Sequence, residues 1–279
     1  MLLCLGSAIA FGAMGIFGKL AYDDGVTVST LLAVRFVLAA ALFWLLVMAT
    51  GRFTRLARRD LLIALALGGI GYSAQAGAYF AALQRIEPGL LSILLYTFPT
   101  MVTVAAIALG REPANRRRAL ALLLASGGLF LVLAGAGAGA IEPVGAALGL
   151  SAAAVYTTYI LSSQGIAARV DPLLLSALVC TGAATTLTLV GLADGGLHVG
   201  AVSAQGFLWL AAIAVVCTVV AVTLFFAGLK RVGPTTASIL STAEPLTAVM
   251  LAFVVFGESM TLVQLAGGAL VVGGVWRVQ

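Results

Sequence analysis

Residues 226–258 read FAGLKRVGPTTASILSTAEPLTAVMLAFVVFGE, and residues 80–112 read FAALQRIEPGLLSILLYTFPTMVTVAAIALGRE. Set at a constant offset of 146, the two stretches share eleven residues in 33. Among these are Arg85/Arg231, Pro88/Pro234, the Ser-Ile-Leu triplets at 92–94 and 238–240, Pro99/Pro245 and Glu112/Glu258. Shared alanines and leucines mean little in so apolar a chain. Two prolines and a closing glutamate at matched spacing mean a duplication. One proline of each copy suits the first turn of a helix, where a missing N–H costs little. The other comes eleven residues later, in mid-helix, where it removes a backbone bond and kinks or breaks the helix.

The surroundings of the repeat set its solvent. Of the 279 residues, 62% are hydrophobic and 9% charged, against about 25% charged in soluble domains. A chain so poor in charge cannot cover a water-facing surface. It divides into ten apolar runs, near 2–22, 27–50, 60–83, 88–109, 117–134, 143–166, 172–192, 204–229, 234–256 and 260–277. Each is about the length that crosses roughly 30 Å of hydrocarbon as helix. Their glycines and alanines suit close helix packing. The lack of strand-like alternation argues against an outer-membrane barrel. The predicted fold class is an all-α integral membrane protein with ten transmembrane helices.

Ala8-Ile9-Ala10 resembles a signal-peptide cleavage site, but no basic segment precedes it, so the first run is read as helix 1. Cys4, Cys180 and Cys217 fall within apolar runs at spacings that match no metal site, and read as packing residues. No metal, cofactor or catalytic residue is expected.

A net charge of +5 raises the possibility of nucleic acid, but the positions of the basic residues argue against it. Arg52, Arg55, Arg58, Arg59, Arg111, Arg116, Arg117, Arg118, Arg169, Lys230, Arg231 and Arg277 all fall on one side if ten helices alternate across a bilayer. Lys19 and Arg85 lie towards the other side, and Arg35 lies inside helix 2. The positive-inside rule then places both termini in the cytoplasm of a multi-pass protein of the bacterial inner membrane. Five helices per copy is an odd number, so residues 137–279 must enter the membrane in the opposite sense from residues 1–136. That is an inverted-topology repeat, with which many secondary transporters build two access states around one central site.

The repeat resembles the EamA-type unit of the drug/metabolite transporter superfamily. The resemblance rests on Glu244-Pro245, Gly257-Glu258 and the last run LAGGALVVGGV at 265–275, with Pro99, Arg111-Glu112 and ASGGLFLVLAG at 125–135 in the first copy. It covers nearly the whole chain, with Arg111 standing where the unit usually has glycine. It implies a ten-helix carrier whose helices 1–4 and 6–9 surround a cavity, with helices 5 and 10 as outer struts. Exporters of amino acids, including aromatic ones, and carriers of drugs and other metabolites share this pattern.

Several groups are candidates for a substrate site. Tyr72, Gln75 and Tyr79 share one face of helix 3, Tyr156 and Tyr159 with Ser163 form a similar face on helix 6, and Tyr96 precedes the break at Pro99. Phenols and an amide suit a small amphipathic molecule, although both faces can equally serve interhelical packing. An arginine at Arg35, inside the membrane, needs a partner or water. It can hold a substrate carboxylate, pair permanently with Glu244, or snorkel. Glu244, beside the break at Pro245, either carries a proton, holds a substrate amine, or partners Arg35. Glu112 and Glu258 read as interfacial structural groups, Lys19 with Asp23 and Asp24 as an interfacial charge cluster, and His198 as part of a solvated loop.

A secondary transporter that exports neutral or aromatic amino acids by alternating access, as a monomer in the lipid bilayer, is the expected function. A multidrug or other metabolite carrier of the same fold is the alternative. An intramembrane enzyme is the rival of a different class, and it lacks a histidine beside a nucleophile or paired aspartates within the spans. A nucleotide-binding loop of the P-loop type is missing from the sequence, so ATP is not the expected driving force.

Overall fold

The computed structural model describes residues 1–83, 85–86, 88–134, 142–256 and 261–278, and among these the regular structure is entirely helical. The first apolar run forms α1 (Leu2–Gly12) and α2 (Met14–Asp23), which meet at Ala13. The second is α3 (Val28–Ala49), whose N-cap Thr27 accepts from the Thr30 N–H and so satisfies one of the free donors of the first turn. The third comprises α4 (Arg58–Ala66), a π-helical turn at Leu67–Tyr72 and α5 (Ser73–Leu83). The fourth is split into α6 (Pro88–Leu95) and α7 (Phe98–Ala108), and α8 (Arg116–Ala134) completes the first half.

In the second half α9 (Pro143–Ala167) and α10 (Pro172–Ala193) are unbroken. Then α11 (Ala204–Ala214), a second π turn at Val215–Val220 and α12 (Ala221–Ser241) run on without a loop. The sequence suggests a gap between two runs near 230–233. The structure has a bend there instead, at Gly233 with φ 79° and ψ 170°, and helix resumes at Pro234. The bend needs glycine, because a side chain is strained at positive φ. After α12 come α13 (Ala243–Phe256) and α14 (Leu262–Val278). Glu258 and residues 137–141 lie outside the described residues.

Among the described residues, seven helical runs are long and apolar enough to cross a membrane. Of the remainder, α8 opens on three arginines, and α13 and α14 are shorter. The ten expected spans are therefore not all matched by long apolar helices.

The mid-helix prolines act where their chemistry requires. The chain leaves helix at Tyr96–Thr97, before Pro99, and at Thr242, before Pro245. Carbonyls near each break take a threonine hydroxyl beside that residue's own amide. Thr97 Oγ1 donates to the Leu94 carbonyl at 2.6 Å and Thr242 Oγ1 to that of Ile239 at 2.7 Å. Such side-chain bonds let a membrane helix tolerate a break.

Packing follows the same offset of 146. α1 lies against α13 as α9 lies against α7, and α1 against α12 as α9 against α5. α3 packs along α10, where Trp44 Nε1 donates to Thr181 Oγ1 at 3.0 Å. α8 packs along α14, where a Cβ on Gly128 would stand 2.5 Å from the Gly267 carbonyl oxygen and one on Gly274 would stand 2.7 Å from that of Ala121. Residues 128 and 121 precede 274 and 267 by 146, so the two close contacts are copies of each other. Small residues at such crossings let backbones approach without side chains between them.

Candidate functional site

A cavity of about 450 Å³ lies inside the bundle, in the half where α2 ends, α3 begins and α6 begins. Both helix breaks reach it. Tyr96, at the first break, and Glu244, just after the second, line it together. Glu244 stands in the first turn of α13, where the unpaired N–H groups and the helix dipole favour a carboxylate. α1 comes close on the other side. A Cβ on Gly12 would stand 2.7 Å from the Glu244 carbonyl oxygen and 2.8 Å from Thr247 Cβ, so only a glycine fits that crossing.

Arg35 is 2% exposed and well supplied with acceptors. Its Nε donates to Thr218 Oγ1 at 2.7 Å, and its terminal nitrogens reach Met14 Sδ at 2.9 Å, Tyr72 Oη at 3.3 Å and the Cys217 carbonyl at 3.4 Å. The guanidinium also lies 4.9 Å from the Phe36 ring centroid, within cation–π range. Three of those partners, Tyr72, Cys217 and Thr218, belong to the two π turns. A π turn shifts the backbone bond by one residue and so reorients the groups around it. Here hydroxyls reach carbonyls five residues back, Ser73 to Gly68 at 3.3 Å and Thr218 to Ile213 at 3.1 Å. Among the described residues, ion pairs join Arg52 to Asp171, Arg118 to Glu112 and Arg169 to Asp60, and none joins Arg35 to Glu244. The permanent pairing that the sequence left open is not adopted here, because the π turns satisfy the arginine first.

Part of the cavity wall is aromatic. Tyr96 and Phe98 have ring centroids 5.7 Å apart, Phe98 and Tyr156 4.5 Å, Tyr156 and Tyr159 6.1 Å, and Tyr159 and Tyr72 6.3 Å. Of the residues proposed from sequence, Arg35, Tyr72, Gln75, Tyr79, Tyr96, Tyr156, Glu244 and Pro245 line the cavity. Tyr159 is 6% exposed and stacks behind Tyr72 and Tyr156, away from the lining. Pro99 is buried at the start of α7 and acts on the helix path, not on the cavity surface.

Sequence reasoning missed the contribution of the first helix. Gly12, Gly15, Gly18, Lys19 and Tyr22, one face of α1 and α2 at three- and four-residue spacing, all line the cavity. The signal was present as three glycines three residues apart, which leave backbone open to a ligand. Lys19 is thus a cavity residue and not only part of an interfacial cluster. Asp24, read with it, accepts instead from Trp209 Nε1 at 3.0 Å. His198 is exposed in the segment after α10. Glu112 is held by Arg118 at 2.7 Å, and Arg111 donates to the Leu161 carbonyl at 2.7 Å, tying the end of α7 to α9. The three cysteines are buried and unbridged.

Several known proteins are similar to this chain. The model of the EamA-like transporter family matches residues 1–134 and again residues 143–278. A Bacillus subtilis protein, Uncharacterized transporter YcbK, is 27% identical over 97% of this chain and 88% of its own length. An uncharacterized transporter of Archaeoglobus fulgidus is 31% identical over 72% of this chain and 71% of its own. The threonine/homoserine exporter RhtA of Salmonella typhimurium is 29% identical over 77% and 68%. A solved crystal structure superimposes with a TM-score of 0.87 over 99% of this chain and 96% of that one, at 19% identity, which establishes a shared fold.

Proposed function

This chain belongs to the EamA-like transporter family, and we propose that it is a secondary transporter exporting small zwitterionic amino acids, neutral or aromatic, by alternating access. The observation that carries this reading is the convergence of two broken helices on one cavity that presents Arg35 and Glu244 against an aromatic wall. An amino acid has a carboxylate for the arginine, an amine for the glutamate and a side chain for the tyrosines. The volume of about 450 Å³ falls within the range of roughly 300–1,000 Å³ for small-ligand sites. A relative named for threonine and homoserine export supports both the cargo class and the direction.

Residues 1–136 and 137–279 are proposed as inverted halves of ten transmembrane helices. The paired contacts at an offset of 146 and the double match of the family model support that division. With twelve basic residues on one side and two on the other, both termini lie in the cytoplasm of the inner membrane, and the cavity belongs to the outer half. Cysteines placed singly at Asn115 and Gly200, in a background without the native three, test this in whole cells with an impermeant thiol reagent. Labelling at position 115 but not at 200 overturns the orientation.

The cargo is tested by counterflow in liposomes against a panel of amino acids and cationic dyes at two pH values. Exchange of amino acids alone supports the proposal. Exchange of dyes alone replaces it with the multidrug reading, and product formation in detergent without flux replaces it with an enzyme.

A further inference from the structure

A second cavity, of about 400 Å³, lies at the opposite end of the bundle, where α7 ends and α8 begins. Its wall includes Glu112, Asn115, Arg118, Thr103 and Thr235. Thr235 is 1% exposed, and its hydroxyl has no hydrogen-bond partner among the described residues. A buried hydroxyl without a partner is destabilising, so a polar guest in this space would satisfy it. The rest of the second half repeats the theme. Thr235, Ser238, Ser241 and Glu244 follow one another at three-residue spacing, and such residues are neighbours on a helix surface. Nine residues of sequence separate Thr235 from Glu244, with the helix interrupted at Thr242 between them. Thr235 stands in the second cavity and Glu244 in the first. Ser238 and Ser241, between them, are 0% and 7% exposed and donate to the Thr235 and Ala237 carbonyls of their own helix.

The repeat gives this line a meaning. Ser238 belongs to the same Ser-Ile-Leu triplet as Ser92, 146 residues earlier. Ser92 faces the first cavity, whereas Ser238 is sealed inside the protein. In a carrier built from inverted halves, the closed half in one state takes the shape of the open half in the other. Resting on the transporter reading above, we propose that Thr235, Ser238 and Ser241 line the inner half of the translocation path, which is closed in this structure. The second cavity is then the inner vestibule of that path, for a polar solute of amino-acid size. The Glu112–Arg118 ion pair, 2.7 Å long, braces the vestibule wall. Glu112 also faces the bend of α12, its Oε1 lying 3.0 Å from where a Cβ on Gly233 would stand. Opening the inner path moves α12 at that bend and parts it from Glu112.

The test needs no knowledge of the cargo. In a background with Cys4, Cys180 and Cys217 replaced by alanine, Ser92→Cys, Ser238→Cys and Thr235→Cys are made singly. Each is exposed to a permanently charged methanethiosulfonate reagent in right-side-out and in inside-out vesicles. The expected result is that Ser92→Cys reacts from one side only, and Ser238→Cys and Thr235→Cys from the other. Adding Glu112→Gln is expected to speed the reaction at 238 about tenfold by raising the open population. Should Ser238→Cys misfold, Thr235→Cys at the vestibule wall reads the same side. Reaction of the 235 or 238 variant from the same side as the 92 variant overturns the proposal, as does silence at both positions with Glu112→Gln present. If wild type exchanges no amino acid while the opposite-side labelling holds, the cargo assignment fails and the path stands.

Discussion

The two broken helices have the same design and different contents. At the first, the residue before the proline is Phe98, 1% exposed and packed 4.5 Å from the Tyr156 ring centroid. At the second, the matched residue is Glu244, which faces the same cavity as Tyr96 of the first break. At each break a threonine adds its hydroxyl to a carbonyl that its own amide also reaches. Symmetry therefore accounts for the breaks and not for the acid. A carboxylate at one of two matched positions carries a desolvation cost that the other position does not, which is the ground for proposing that it acts on the solute or a proton.

The strongest way to break this comparison is Glu244→Gln, which keeps shape and hydrogen bonding but removes the charge. Hydrogen bonds to charged groups contribute about 1.5–3 kcal/mol, so counterflow is expected to fall about ten- to a hundredfold at 1.4 kcal/mol per decade. Its pH profile is expected to flatten. A mutant with the wild-type rate and pH profile would make Glu244 structural and the two breaks equivalent after all.

Stability measurements sharpen the second break next. Gly12→Ala places a methyl against the Glu244 carbonyl and Thr247, and such overpacking costs about 1–3 kcal/mol. Gly15→Ala, one turn on, meets nothing within 4 Å. Both substitutions gain about the same helix propensity, near 1 kcal/mol. In thermal melts, the Gly12 variant is expected below the Gly15 variant, which stays at or above wild type. Equal melting temperatures would mean that α1 does not hold the second break closely.

Tyr96→Phe probes the cavity where the two breaks meet. It deletes one hydroxyl and leaves the ring, so the expected loss of transport is about two- to tenfold, the worth of one hydrogen bond, with little change in melting temperature. The smallest effect is expected for Gln75→Ala and Tyr79→Ala, which weaken apparent substrate affinity severalfold and leave the fold intact. A large drop in stability with normal affinity would make that face of α5 a packing surface.

Much of the architecture was legible because it rests on properties that one residue carries with it. A chain with 9% charged residues must sit in lipid, a proline in mid-helix must break a bond wherever it stands, and a repeat at an offset of 146 is arithmetic. The residues gathered at the cavity were partly legible for the same reason, since an arginine and a glutamate within apolar runs invite explanation. What the sequence could not display was who meets whom. Tyr159 shares a helix with Tyr156 and looks equivalent, yet helix rotation puts it behind the wall. Arg35 could equally have held a solute carboxylate, paired with Glu244 or snorkelled, and two π turns, which no residue type announces, supply it with oxygen acceptors while Met14 of α2 adds a sulfur.

The sequence by itself determined the solvent, the helical state, the duplication and the two places where helices must break, because each follows from local chemistry and count. Only the tertiary structure decided that both breaks open onto one cavity, that the glycine face of α1 and α2 completes it, and that Thr235 to Ser241 lie buried between it and a second one. Those outcomes depend on crossing angles and helix rotations. These are set by the sum of many weak packing contacts between residues far apart in the chain, and no single residue records that sum.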